Sequence, residues 1–506
     1  MTVSKVNPRP QNSIKVKTLM ENNNELCSLE QEMSAKLNEL EAQRQVRREH
    51  LVDLTLEAIA RRVESQESAI ASQTVAAGKP LQASVLRQIV VVEVVRAADG
   101  NLWCDHYSER AKSDQQMNVY VGTHWERIDS QQWMDFIDQC ALRCGLAEPH
   151  RMNPAFMNQL YEGVAFNLKK HRRQTQPRDE VWLNMPNGTL VVTADGRVTL
   201  REHSRDDLFF YCLEYSYDPQ ADSPKWQQFL DRVQPSAEAQ TLLGEYLGYC
   251  LMRDHRFEKS IWFYGSGQNG KSTALAVIER LFGAQNVCYL SLEHLTNDEK
   301  KRAMFEHKLL NISSETGRDV NPSVMKQIAS GESLTVELKY QNPRQITDYG
   351  KVITATNQMP KAENTFAFFR RFIILPFEQT ISETEKDVHL AEKLIGELPG
   401  ILNWIVQALI GLMNRQAFIT CESSERALEE YKLQSDNVKL FLKEMLVPTD
   451  VSTKGSDLFA AYTAYCKSSA LYPLGKLKFY DRLDALTHSR IEQGKVPCFK
   501  LKLAES

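Results

Sequence analysis

The sequence predicts an α/β fold with an α+β part upstream and a helical part downstream, and three observations carry that expectation. Ser260–Phe282, SIWFYGSGQNGKSTALAVIERLF, reads as apolar strand, Gly-rich loop and periodic helix. Further apolar runs at His307–Ile312, Lys351–Thr356 and Phe366–Phe377 follow it, separated by helical or polar stretches. The composition, 42% hydrophobic and 25% charged over 506 residues, is that of folded protein with material for about three or four domains.

The first of these stretches carries the most chemistry. Gly265, Gly270, Lys271 and Ser272 satisfy G-x-x-x-x-G-K-[ST] between a strand and a helix. Such glycines let the backbone curl, so that N–H groups from Gly265, Ser266, Gly267, Gln268, Asn269 and Gly270 through Thr273 converge on phosphate oxygens. Lys271 then reaches the β- and γ-phosphates of a nucleoside triphosphate, and the Ser272 hydroxyl holds Mg²⁺.

A formal net charge of −4 excludes a uniformly basic nucleic-acid coat, so any DNA contact must be local. The ten cysteines are scattered; the close pair Cys140 and Cys144 has no zinc-ligand set beside it, which favours reduced structural thiols. No apolar signal core opens the chain, and Ile401–Met413 is too short to span a bilayer, so a cytoplasmic protein of a bacterial host or virus-infected cell is expected, with no membrane partner.

In chain order, residues 1–24 read as a disordered tail. Residues 25–80 read as a long helix and a linker. Its stripe runs through Leu26, Met33, Leu37, Leu40, Leu51, Leu54 and Ala58, and could form a coiled coil or dock on the chain's own body. Residues 85–245 read as an α+β domain. Gln88–Arg96 is β-branched like a strand, Asn118–Ile128 is a strand pair bent at Gly122, and Gln131–Cys144 and Pro154–Lys170 are helices. The basic cluster Lys169–Arg173 complements the helix dipole or touches nucleic acid. Val181–Arg201, with two Asn/Asp-Gly turns, is a β-meander, and helical patterns fill Lys225–Met252.

Beyond the Gly-rich loop, residues 246–415 hold the other candidate site residues. Glu315 follows an apolar run at the place where an NTPase needs a carboxylate to polarise water and support the metal shell. Asn357 ends the strand Lys351–Thr356, where an amide can sense the γ-phosphate. Arg370 and Arg371 directly precede an apolar strand and suit an arginine finger. Between them lie a helix with Lys326 and a strand pair over Ser333–Ile346.

This succession of loop, Ser-Glu strand end, Lys-bearing hairpin, T-A-T-N strand and R-R before an apolar strand resembles superfamily-three helicases, specifically the helicase module of phage, satellite-phage and plasmid primase-helicases, which is similar to the poxvirus primase-helicase. The likeness covers roughly Ile89–Lys478 and includes NVYVGTHWERI, VWLNMPNGTLVV and YDPQADSPKWQQFLDRV upstream. It implies an AAA+-type P-loop core that assembles as a homo-oligomeric ring, usually a hexamer, and unwinds single-stranded or forked DNA with ATP and Mg²⁺. Residue by residue, Lys271 and Ser272 match the phosphate and metal positions, Ser314 and Glu315 the acidic strand end, and Asn357 the sensor. Arg370 or Arg371 matches the finger, and Lys326 and Lys339 match the DNA-holding hairpin positions.

Two departures stand out. Ser314 replaces the first acid of the acidic pair seen in many members, and residues 1–87 are too short and helical for the primase domain of fused members. A separate primase or host replication proteins would then be partners. Residues 416–506 read as a helical, winged-helix-like domain in which the basic helix Lys476–Leu486 is either a solvated face or a DNA contact. The alternative to an unwinding motor is an ATP-regulated origin-binding initiator or scaffold.

Overall fold

The computed structural model describes residues 49–63, 70, 74, 80–106, 115–168, 176–314, 317, 319–338, 343–360, 365–382, 384–469, 471–493 and 496–504. They fall into two compact units, Met1–Gln174 with Arg205–Phe210, and Thr175–Ser204 with Tyr211–Ser506.

In the first unit, residues 49–63 are helical and bury Val52, Leu56, Ile59, Ala60 and Val63. Leu51 and Leu54, on the stripe expected from sequence, instead face solvent, as does Ala58. Two adjacent stripes fit a 3.6-residue period here, and the more β-branched one meets the chain's own core. The other stripe residues, and the cluster Lys169–Arg173, lie outside the described residues. Gln88–Arg96 is also not a strand. It belongs to helix α1, Ala83–Ala98, which buries Leu86, Ile89, Val90, Val94, Ala97 and Ala98. Packing overrides the β-propensity of its valines, since those positions recur at helical spacing and lie on helix α3, Pro154–Asn167, where Gly163 admits Val91. Strands β1 (Leu102–His106), β2 (Gln115–Tyr120) and β3 (Trp125–Ile128) form an antiparallel sheet. Helix α2, Ser130–Arg143, follows under a capping box from Asp129 and Gln132.

The second unit opens with the meander β4 (Glu180–Met185), β5 (Gly188–Thr193) and β6 (Val198–Arg201). Helices α4 (Pro224–Val233) and α5 (Ala237–Leu251) follow, and α5 lies against the later helix Leu398–Arg415. Gly244 and Gly248 make that approach possible: an added Cβ would stand 2.9 Å from Ala408 Cβ and 2.8 Å from Leu409 Cβ.

The centre of this unit is a five-stranded parallel sheet. In chain order its strands are β7 (Ser260–Tyr264), β8 (Val287–Cys288), β9 (Leu310–Ser313), β12 (Lys351–Thr356) and β13 (Phe372–Pro376). In space they lie β13-β7-β12-β9-β8, so β7 sits between β13 and β12. A short antiparallel pair, β10 (Leu334–Val336) and β11 (Arg344–Ile346), is inserted before β12. Burial of all five β13 residues and all six β12 residues explains their unbroken apolar reading.

Residues 437–503 complete the unit with helix Asn437–Met445, strand β14 (Leu446–Lys454), helices Gly455–Ser468 and Lys476–Thr487, and strands β15 (Arg490–Gln493) and β16 (Val496–Leu503). The sheet order is β14-β16-β15, over a core of Phe441, Tyr462, Phe479 and Leu483. Arg482 is half-exposed and pairs with the buried Asp436 carboxylate at 2.5 Å, while Lys476, Leu477 and Lys478 are exposed. No helix among the described residues is long and apolar enough to cross a membrane.

Candidate functional site

The site is built on the C-terminal edge of the parallel sheet, where β7 runs through a six-residue loop into helix α6, Lys271–Phe282. Gly267 has φ 112°, Gln268 49° and Gly270 85°, so the loop turns through the left-handed region that glycine enters without penalty. A Cβ on Gly265 would stand 2.3 Å from Asn269 Nδ2 and 2.5 Å from the Phe377 carbonyl, so the loop closes on itself at that point. One on Gly270 would stand 2.7 Å from Val233 Cγ1.

The loop is braced on both sides. Asn269 Nδ2 donates to the Phe377 carbonyl at 2.9 Å, and its Oδ1 accepts from Lys271 Nζ at 3.0 Å. Lys271 Nζ also donates to the Gly265 carbonyl at 2.8 Å, which uses two of its three N–H groups. The Ile381 N–H donates to the Gln268 carbonyl, and Gly265 N–H to the Thr356 carbonyl. Behind the loop, Arg232 holds Glu385 and the Thr380 carbonyl, and the Arg232 guanidinium pulls the Glu385 carboxyl down to about 2. Burial lowers the Lys271 ammonium from its ordinary value, the effect of desolvating a cation.

Helix α6 begins at Lys271 with no side-chain cap on its first turn. A helix N-terminus without a side-chain cap beside the buried Lys271 is chemistry suited to an anion, phosphate above all. Ser272 is exposed at that end and Thr273 is half-buried.

Strand register places the other residues. Thr356 pairs with Tyr264, so Asn357, exposed, follows on the same sheet edge as the loop. Ser313 pairs with Thr354, so exposed Ser314 continues β9 toward that edge. Glu315 and Lys339 lie outside the described residues. Lys326 is half-buried on helix α7, Pro322–Ser330, whose Met325 and Ile328 enter the core. The hairpin β10–β11 is held to the body by a bidentate pair, Arg344 Nη1 to Glu306 Oε1 at 2.5 Å and Nη2 to Oε2 at 2.6 Å.

Arg370 and Arg371 are at the other end of the sheet. Because β13 is parallel to β7, Phe372 pairs with Ser260 at the start of β7 and Pro376 with Tyr264 at its end. The two arginines therefore precede the N-terminal edge, roughly 15–20 Å from the loop at about 3.3 Å per strand residue. Arg371 is anchored: Nε donates to Ser330 Oγ at 2.9 Å, Nη1 to the Ala367 carbonyl, and its side chain is 11% exposed. Arg370 is 45% exposed, and its Nη2 donates to Glu258 Oε2 at 2.6 Å.

Comparison with known proteins gives two family matches along the chain. Residues 100–235 match a family described as D5 N terminal like, and residues 263–371 match a family of unknown function. A protein of Acanthamoeba polyphaga mimivirus named as a candidate helicase is 20% identical over 292 residues, 52% of this chain. That match spans 30% of the relative's length. Among solved structures, the apo C-terminal region of NrS-1 aligns with a TM-score of 0.47 at 11% identity, over 82% of this chain and 98% of that one. Its A form gives 0.42 at 11% identity, over 79% and 86%. The chain is thus similar, over about half its length, to part of a viral protein named as a candidate helicase, and upstream to a D5-like family.

Sequence reasoning missed Glu258, Glu306 and His255. Each acts through a partner distant in sequence, Arg370, Arg344 and the Gly350 carbonyl respectively, and no local pattern announces such pairings.

Proposed function

We propose that this chain is an ATP-driven DNA helicase of the superfamily-three, AAA+ type, serving replication of a phage, plasmid or virus and working as a ring of identical subunits. ATP with Mg²⁺ would supply the hydrolysable phosphate anhydride at the loop after β7. Lys271 and the N–H groups of Gly265–Thr273 would hold the phosphates, Ser272 and Glu315 the metal, and Asn357 would orient the attacking water that Glu315 activates. The division of the chain between a D5-like region and the loop-bearing sheet supports this reading.

The observation that carries it is the register of β13 on β7. It leaves two guanidiniums on the sheet edge away from the chain's own loop, where they cannot touch a phosphate bound there. A finger so placed has a use only across an interface, with the loop of a second copy, and a head-to-tail interface that closes makes a ring. The exposed, singly paired Arg370 fits that finger better than the anchored Arg371. Lys326 and Lys339 would hold the DNA backbone in the channel. The C-terminal order helix, strand, two helices, two strands supports a winged-helix-like module.

Strand displacement on a forked duplex tests this function. ATP-dependent displacement that Lys271→Ala abolishes is the expected result. Binding of DNA with ATP turnover but no displacement would assign the chain to the initiator or scaffold class instead.

A further inference from the structure

Glu258 lies two residues before β7, in the left-handed region at φ 49°. A glycine would take that conformation at lower cost, and a turn from Glu258 N–H to the His255 carbonyl at 2.9 Å holds it there. Its Oε2 accepts from Arg370 Nη2 at 2.6 Å and lies 3.6 Å from Arg371 Nη2. The adjacent Lys259 donates through Nζ to the Arg370 carbonyl, and the Ser260 N–H donates to the Arg371 carbonyl at 2.8 Å. Three successive residues at the start of β7 thus grip the two arginines by side chain and backbone.

We propose that Glu258 is a positioning residue that aims Arg370 at the neighbouring subunit's nucleotide and ties it to the strand leading to the chain's own phosphate loop. The proposal rests on the trans arrangement proposed above. A guanidinium has five N–H donors in a rigid fork, so one spent on Glu258 fixes the plane and leaves others for phosphate oxygens. In the single chain the pair is worth little, because Glu258 is 37% and Arg370 45% exposed. Covering that edge with a second subunit removes solvent and strengthens the pair where it is needed.

The same arrangement gives a short route between two sites. β7 has the Gly-rich loop at one end and Glu258 just before the other, with only Ser260–Tyr264 between. A shift of the loop on nucleotide binding is passed along one rigid strand to the carboxylate that aims the finger. Occupancy of one site then biases hydrolysis at the next.

The test is a double-mutant cycle in the full-length assembled protein, with steady-state ATPase, monomer binding of a fluorescent ATP analogue, and the melting temperature as readouts. Glu258→Gln is expected to lower kcat about tenfold, equivalent to about 1.4 kcal/mol, with KM within about twofold and a reduced Hill coefficient for ATP. Glu258→Asp should recover most of the rate. In the Arg370→Ala background, Glu258→Gln should add no further loss. An equal tenfold loss in both backgrounds, or a wild-type rate for Glu258→Gln, overturns the positioning role. If Arg370→Ala itself keeps the wild-type rate, the finger assignment fails, and with it the basis of the proposal.

Discussion

Lys271 Nζ rests 3.0 Å from Asn269 Oδ1, and the same amide donates to the Phe377 carbonyl. The lysine expected to meet phosphate is therefore held in a defined place by a neighbour that is itself fixed to the strand end after β13. Lys271→Ala should raise the Kd for ATP at least tenfold, the loss of a charge-assisted contact, with the melting temperature nearly unchanged. Asn269→Ala should raise it less, because only the brace is lost. Titration calorimetry on both variants checks this, and an unchanged Kd for Lys271→Ala would remove the loop from the account.

The two arginines should separate by phenotype. Arg370→Ala is expected to leave ATP binding to the monomer intact while the ATPase rate of the assembled protein falls by about 10³, the scale of a lost finger. Arg371→Ala should cost stability instead, since its guanidinium bonds Ser330 and the Ala367 carbonyl at 11% exposure. Denaturant unfolding beside ATPase measurements distinguishes them; the reverse pattern would assign the finger to Arg371.

The hairpin anchor makes a prediction about stability alone. Arg344 and Glu306 are 9% and 6% exposed and bonded through both guanidinium arms. Glu306→Ala leaves an uncompensated buried cation and should destabilise by about 3–5 kcal/mol. Replacing both partners by Leu and Met should cost clearly less than that single change, as measured by chemical denaturation. Equal costs would mean that the pair anchors nothing.

His255 gives the pH dependence. Its ring is buried, its Nε2 donates to the Gly350 carbonyl at 3.2 Å, and it packs tilted against Tyr349 with ring centroids 5.0 Å apart. Burial first, then Lys351 nearby, pushes its pKa down from 6.5 to about 3. The folded protein keeps this ring neutral while the unfolded chain protonates it below about pH 6.5, so stability falls as pH falls from 6.5 toward 3. By pH 5 the contribution lost is about 2 kcal/mol. His255→Gln should flatten the stability difference between pH 7 and pH 5 by that amount. An unchanged slope would show that His255 is not held neutral.

The sheet was largely readable because its strands are short apolar runs ending in polar residues, and the Gly-rich loop because its glycines and lysine are fixed in spacing. Lys351–Thr356 begins and ends where expected. Helix α1 was misread because a run of valines looks like a strand until the partner that buries it is known. β14 escaped notice because it carries Pro448 and Asp450 and alternates half-exposed with exposed residues, as edge strands do. The placement of Arg370 could not be read at all. That β13 lies beside β7 is a fact of strand order, set by packing across more than a hundred residues of intervening chain, and it decides which phosphate the arginine can reach.

Mixing two inactive variants tests the central claim most directly. Lys271→Ala subunits keep the finger and lack the phosphate lysine; Arg370→Ala subunits keep the lysine and lack the finger. If the site is shared between copies, an equimolar mixture should recover about a quarter of the wild-type ATPase rate, since half the subunits at each side of a head-to-tail interface are intact. No recovery at any ratio, with co-assembly verified by differently tagged subunits, would contradict a composite site.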